Sequence, residues 1–169
     1  HIWQDYFGAL FLGCGVPREH LEEVGDRIRD VHRANHLWTW VDPATAPALG
    51  TLKERGYRLA VISNADGRVE GLIQGAGLGG FFEFVMDSAV EGVEKPDPEI
   101  FLRACGRMGV RPDRSLYVGD LYPVDVRGAW KAGLHALLLD PMGRLDHPVD
   151  RIANVAALPG YLERVSPRP

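Results

Sequence analysis

The chain has 169 residues, 46% of them apolar and 25% charged, with a formal net charge of −4. That is the make-up of one ordinary globular domain with room for a small second one, long enough to bury a core without staples. The acidic balance excludes a broad nucleic-acid-binding surface, and no apolar run reaches the length of a membrane span. The two distant cysteines, Cys14 and Cys105, form no disulfide framework, so a cytoplasmic location is expected.

The chain opens at His1 on an aromatic stretch, as though cut from something longer. Ile2, Trp3, Tyr6, Phe7, Leu10 and Phe11 recur at helical spacing until Gly13, Gly15 and Pro17 break the pattern. A second helix follows, with Leu21, Val24, Ile28 and Val31 on one face. After Leu37-Trp38-Thr39-Trp40, Asp42 suits a helix N-cap and Pro43 a first helical position. From here helix and strand alternate. Gly56, Gly77, Gly109 and Gly133 each follow a helix pattern and precede an apolar residue, the signature of a left-handed C-terminal cap. After each comes a short, continuously apolar strand candidate: 59–62, 84–86, 116–118 and 136–139. Such runs fit parallel strands buried on both faces, and the alternation predicts an α/β fold with a Rossmann-like, doubly wound parallel sheet. The clearest helix is 98–108. The tail after Pro159 is expected to lie on the surface.

Three motifs fall just beyond strand ends, where such a sheet carries its chemistry. Val61-Ile62-Ser63-Asn64 offers a hydroxyl and a backbone amide to a phosphoryl oxygen, although Ser and Asn are also common turn formers. Glu94-Lys95-Pro96-Asp97-Pro98 places a lysine before a rigid proline and a helix start, able to aim a fixed positive charge at a transferring phosphoryl group. Tyr117-Val118-Gly119-Asp120-Leu121-Tyr122-Pro123-Val124-Asp125 sets one carboxylate at a strand end and another five residues on. This suits magnesium, which takes hard oxygen ligands and few protein carboxylates, though either acid can instead cap a helix.

In this order and on successive strands, the three motifs resemble those of the haloacid dehalogenase-like superfamily. Its second motif ends in a residue matching Ser63, its third supplies a lysine matching Lys95, and its fourth, Gly-Asp-x-x-x-x-Asp, matches Gly119, Asp120 and Asp125. The resemblance implies that residues 1–40 are part of a helical cap and 41–169 a Rossmann-like core. It implies a magnesium-dependent phosphatase acting on a small phosphorylated substrate through an aspartyl-phosphate, with neither nucleic acid nor membrane as partner. Ser63 and the Asn64 backbone amide would hold phosphoryl oxygens. Lys95 would neutralise charge between nucleophile and phosphate, Asp120 would bind Mg2+, and Asp125 would orient Lys95 or a metal-bound water.

One departure stands out. The family's first motif, Asp-x-Asp on a central strand, has no counterpart; Asp140-Pro141-Met142-Gly143 follows a strand but comes after the fourth motif and lacks the second acid. The expectation is an N-terminal segment outside this sequence that carries the nucleophile and a strand between those bearing Ser63 and Asp120. The alternatives are a fragment or a strand from another chain. Three other activities remain open: a 2-haloacid dehalogenase, which typically carries Ser-Asn where this chain has Gly119-Asp120, a phosphomutase, or an inactive binding protein. Other features read as bland. Gly75-Ala76-Gly77-Leu78-Gly79-Gly80 follows a helix and so lacks the setting of a dinucleotide loop. His32 and His36 share a helical face without a third ligand, the two cysteines read as packed thiols, and Trp38 and Trp40 as packing residues.

Overall fold

The computed structural model describes residues 2–34 and 39–165. The chain divides into two compact units, His1–Trp40 and Val41–Pro169. In the first, α1 (Ile2–Gly13) and α2 (Leu21–Ala34) pack on one another, and the rings of Phe7 and Phe11 stack with centroids 5.7 Å apart.

The second unit alternates helix and strand. Its helices are α3 (Thr45–Glu54), α4 (Val69–Gly75), α5 (Ser88–Glu91), α6 (Pro98–Met108), α7 (Arg127–Lys131) and α8 (Leu158–Val165). Its strands are β1 (Val61–Ser63), β2 (Val85–Asp87), β3 (Leu116–Gly119), β4 (His135–Leu139) and β5 (Arg151–Ile152). All strand pairs are parallel, and the fold is α/β of the Rossmann-like kind. The helix stops are those the glycines predict. Gly56, Gly77, Gly109 and Gly133 all have positive φ. The following N–H bonds in each case reach back over the cap: Tyr57 to Leu52, Leu78 to Ile73, Val110 to Cys105 and Leu134 to Ala129, each at 3.0 Å. These are Schellman closures, in which only a residue tolerant of the left-handed region turns the chain from helix to strand.

The strands pair as β1–β2 and as β3–β4–β5, and no ladder joins β1 to β3. The two halves are held by the layer beneath. The apolar stripe of α6, with Ile100, Phe101, Ala104 and Cys105 all buried, packs with Phe84 and Met86 of the β2 segment, with Ala129 of α7, and with Ile62 of β1 and Tyr117 of β3. Phe101 is fully buried and meets the Tyr117 ring edge-on at 4.9 Å. Truncating such a ring to alanine costs about 3–5 kcal/mol.

Several expectations shift. β1 and β2 lie one or two residues later than the apolar runs alone suggest, because the ladder follows the register Val61–Val85 to Ser63–Asp87. The helix anticipated at Pro43 starts at Thr45; Asp42 instead caps the preceding turn by accepting from Ala44 N at 2.9 Å. β5 has no apolar run to announce it. The segment after Pro159 is helical rather than a loose tail: Pro159 is buried, its carbonyl accepts from Arg55, and Arg55 pairs with Glu163 at 2.6 Å. Trp40 is 83% exposed and Cys14 is exposed, so neither is the packed side chain expected, whereas Cys105 is buried. Trp38 and His36 lie outside the described residues. No helix among them is long and apolar enough to cross a membrane.

Candidate active site

The second motif ends β1. Ser63 is half-buried at the strand's last position, and no described residue hydrogen-bonds its hydroxyl. The next side chain works differently from the sequence expectation, which used only its backbone amide. The Asn64 carboxamide faces the Lys95 backbone, donating through Nδ2 to the Lys95 carbonyl at 2.9 Å and accepting the Lys95 N–H at Oδ1 at 2.8 Å. A strand end is thereby tied to a loop 31 residues away by two bonds that leave Lys95 no freedom to slide.

From that fixed backbone the Lys95 side chain, only 10% exposed, reaches two acceptors. Its Nζ donates to Asp125 Oδ1 at 2.6 Å and to the Tyr117 hydroxyl at 2.8 Å. The chain beyond is secured by Asp97, which caps α6 by accepting from Glu99 N, with Pro98 as the first helical residue.

The fourth motif continues β3. Asp120 is exposed at the strand's end, and no described residue hydrogen-bonds its carboxylate. The chain then makes a π-type turn, Tyr122–Val126, which swings Asp125 back beneath Gly119. Asp125 is 2% exposed and uses both oxygens, Oδ1 for Lys95 and Oδ2 for the Leu121 N–H at 2.8 Å. It is not a helix cap. Burying a carboxylate is costly unless it is paired and hydrogen-bonded, and here it is both.

Tyr117 escaped the sequence analysis as a functional residue. It shares a strand face with Gly119, two positions on, and so points to the side where Lys95 and Asp125 meet. Its hydroxyl donates to the Ile62 carbonyl at 3.0 Å. Burial, followed by the Asp125 charge, pushes its ionisation well above the ordinary tyrosine range, so it stays a neutral phenol. The only available signal was a polar tip on an inward-facing strand position.

Asp140 has a structural role. The residue is 5% exposed, and its carboxylate accepts from Arg144 N at 3.2 Å and Leu145 N at 3.0 Å and faces Arg151 at 3.6 Å, closing the loop after β4. The glycine-rich stretch at 75–80 runs from α4 through a 3-10 turn toward β2, the wrong order for a nucleotide loop. Among the described residues no three His, Cys, Asp or Glu side chains cluster as a metal cage. Magnesium needs none: one or two carboxylates with water and substrate oxygens suffice, and Asp120, exposed and hydrogen-bonded by no described residue, is a donor that could hold it, whereas both oxygens of Asp125 are taken by Lys95 and Leu121.

Comparison with known proteins gives the family. A profile of the haloacid dehalogenase-like hydrolases matches residues 4–133. The mouse haloacid dehalogenase-like hydrolase domain-containing protein 3 is 35% identical over 87% of the chain, and the glyceraldehyde 3-phosphate phosphatase of Methanopyrus kandleri is 42% identical over 76%. The chain spans 59% and 55% of their lengths. The crystal structure of a 2-haloacid dehalogenase from Pseudomonas syringae superposes with a TM-score of 0.68 at 27% identity, covering 95% of this chain and 70% of that one. The chain therefore belongs to the haloacid dehalogenase-like hydrolase family.

Proposed function

We propose that the complete protein is a magnesium-dependent phosphohydrolase acting on a small phosphorylated metabolite. In this reading an aspartate on a segment outside the present chain attacks phosphorus. The P–O bond to the alcohol breaks, and water then releases phosphate from the aspartyl-phosphate. The observation that carries the proposal is the buried Lys95–Asp125 pair beside an Asp120 carboxylate that no protein group engages. A lysine has three donors; Tyr117 and Asp125 take two, and the third serves a phosphoryl oxygen. Ser63 and the Asn64 backbone amide hold a second oxygen, and Asp125 orients Lys95. Asp120 would hold magnesium, which when bound would supply positive charge to the phosphoryl group. The segment with the nucleophile would lie between β1 and β3, whose facing edges carry no ladder. The unit up to Trp40 would belong to a helical cap that selects the organic group.

The names of relatives support the phosphatase side: besides the glyceraldehyde 3-phosphate phosphatase, a Thermus thermophilus phosphoserine phosphatase is 36% identical over 79% of the chain. A metal-free dehalogenase is disfavoured by Gly119-Asp120, because an unpaired acid at the strand end serves a cation. The test is a panel of phosphate monoesters, including triose phosphates and phosphoserine, with and without magnesium, using the protein expressed from its complete reading frame. Magnesium-dependent release of phosphate is expected. Turnover of 2-haloacids without metal, and of no phosphate ester, would overturn the proposal.

A further inference from the structure

Tyr117 is tied into the site more closely than a core tyrosine needs to be. Its ring is seated on Phe101, which fixes the hydroxyl in space. Its proton goes to the Ile62 carbonyl, so toward Lys95 the oxygen can only accept. The ammonium also lies 5.3 Å from the ring centroid. We propose that Tyr117 is a positioning residue for Lys95: the phenol and Asp125 hold two of the three ammonium N–H groups and thereby aim the third at the phosphoryl group. The inference rests on the phosphohydrolase reading and deepens it.

Two fixed acceptors matter because lysine is a flexible point charge. A four-carbon stem ending in a freely rotating ammonium loses side-chain entropy on being ordered, and a single salt bridge leaves it free to pivot about that bond. A second acceptor removes the pivot. A donor already aimed where charge develops needs no reorganisation at the moment of reaction. The Ile62 link adds a coupling, since Ile62 precedes Ser63: the phenol ties the strand end bearing the hydroxyl to the lysine. Ile62 N–H and C=O face away from β2, because in a parallel pair the neighbouring Val61 and Ser63 make the ladder bonds. A carbonyl oxygen has two lone pairs, so a strand lying beside β1 can share Ile62 with Tyr117.

The test is Tyr117→Phe in the protein expressed from its complete reading frame, which keeps the ring on Phe101 and removes the hydroxyl. With a phosphate monoester and magnesium, kcat should fall about tenfold, the worth of one hydrogen bond to a charged group, while KM stays within about twofold. A role in packing alone would lower the melting temperature and leave kcat intact. A second readout needs no turnover. The rate of reductive methylation of Lys95, followed by peptide mass spectrometry, should rise several-fold against Lys53 and Lys131, the other lysines of the chain. An active protein with unchanged kcat in Tyr117→Phe overturns the proposal. If the wild-type protein turns over no phosphate ester, the phosphohydrolase reading fails by itself. The labelling rate then decides alone, and unchanged Lys95 reactivity refutes the positioning role.

Discussion

Gly119 and Asp125 compete for one space: a β-carbon on Gly119 would stand 2.5 Å from the Asp125 Cβ and 2.6 Å from its Oδ2. The glycine of the Gly-Asp pair is thus required by the second acid of the same motif, which folds back under it. Gly119→Ala should force Asp125 away from Lys95 and Leu121. Overpacking of this kind costs about 1–3 kcal/mol, which urea unfolding will read. Turnover should drop as well, although the substituted atom is not polar.

The Lys95–Asp125 pair gives a sharper test. Asp125→Ala leaves a buried ammonium with only the Tyr117 phenol, and breaking a buried pair by removing one partner costs about 3–5 kcal/mol. Asp125→Asn keeps an acceptor and should cost less. The double change Lys95→Met with Asp125→Asn removes both charges and should regain stability over Asp125→Ala without regaining activity. Equal instability of the single and double variants would show that the pair does not act as a unit.

Asn64→Ala removes both bonds that fix the Lys95 backbone. Two part-buried backbone groups then lose their partners, a cost of up to about 1–3 kcal/mol each to the extent that water cannot reach them. Asn64→Asp keeps the acceptor for the Lys95 N–H but sets a carboxylate oxygen against the Lys95 carbonyl, and should be worse than Asn64→Ser. Melting temperatures of the three variants will rank them.

Asp140 should govern acid stability and not chemistry. The Leu145 N–H above all, then the Arg144 N–H and the Arg151 charge, outweigh desolvation and hold its carboxyl below the usual range. A group whose folded pKa is depressed contributes stability above its unfolded value, about 3.9, and loses it as pH falls through the folded pKa. Asp140→Asn should therefore be less stable than wild type at neutral pH, with the two curves converging in acid. Its kcat should be unchanged. A large loss of kcat in folded Asp140→Asn would give Asp140 a catalytic part it lacks here.

Much of this architecture was legible because its signals are local. The helix–glycine–strand stops depend on a single residue's access to positive φ, and the α6 stripe repeats at the helical period, so Gly109 and Ile100–Cys105 could be placed from spacing alone. Ser63 and Asp120 stand out because each puts a polar group at the end of an apolar strand run, Lys95 because it precedes a rigid proline and a helix start, and Asp125 because it lies five residues after Asp120. What spacing does not carry is pairing between distant segments. Nothing near Asn64 says that its carboxamide meets a backbone 31 residues on, and nothing near Tyr117 says that its hydroxyl spans 55 residues to Ile62. β5, two residues long and without an apolar run, exists because β4 offers it a ladder. Asp42 shows the opposite error: the capping residue was visible, but it serves a turn rather than the helix beyond.

The most direct test of the central claim is kcat/KM for one phosphate monoester as a function of magnesium, measured for wild type, Asp120→Asn and Asp125→Asn in the protein expressed from its complete reading frame. Asp120 is the unengaged carboxylate, whereas both oxygens of Asp125 are held by the protein. Asp120→Asn should therefore raise the magnesium requirement more than Asp125→Asn does and lower kcat/KM by about 10²–10³-fold, the usual cost of removing a group that stabilises transition-state charge. Wild-type turnover with an unaltered magnesium dependence in Asp120→Asn would contradict the account.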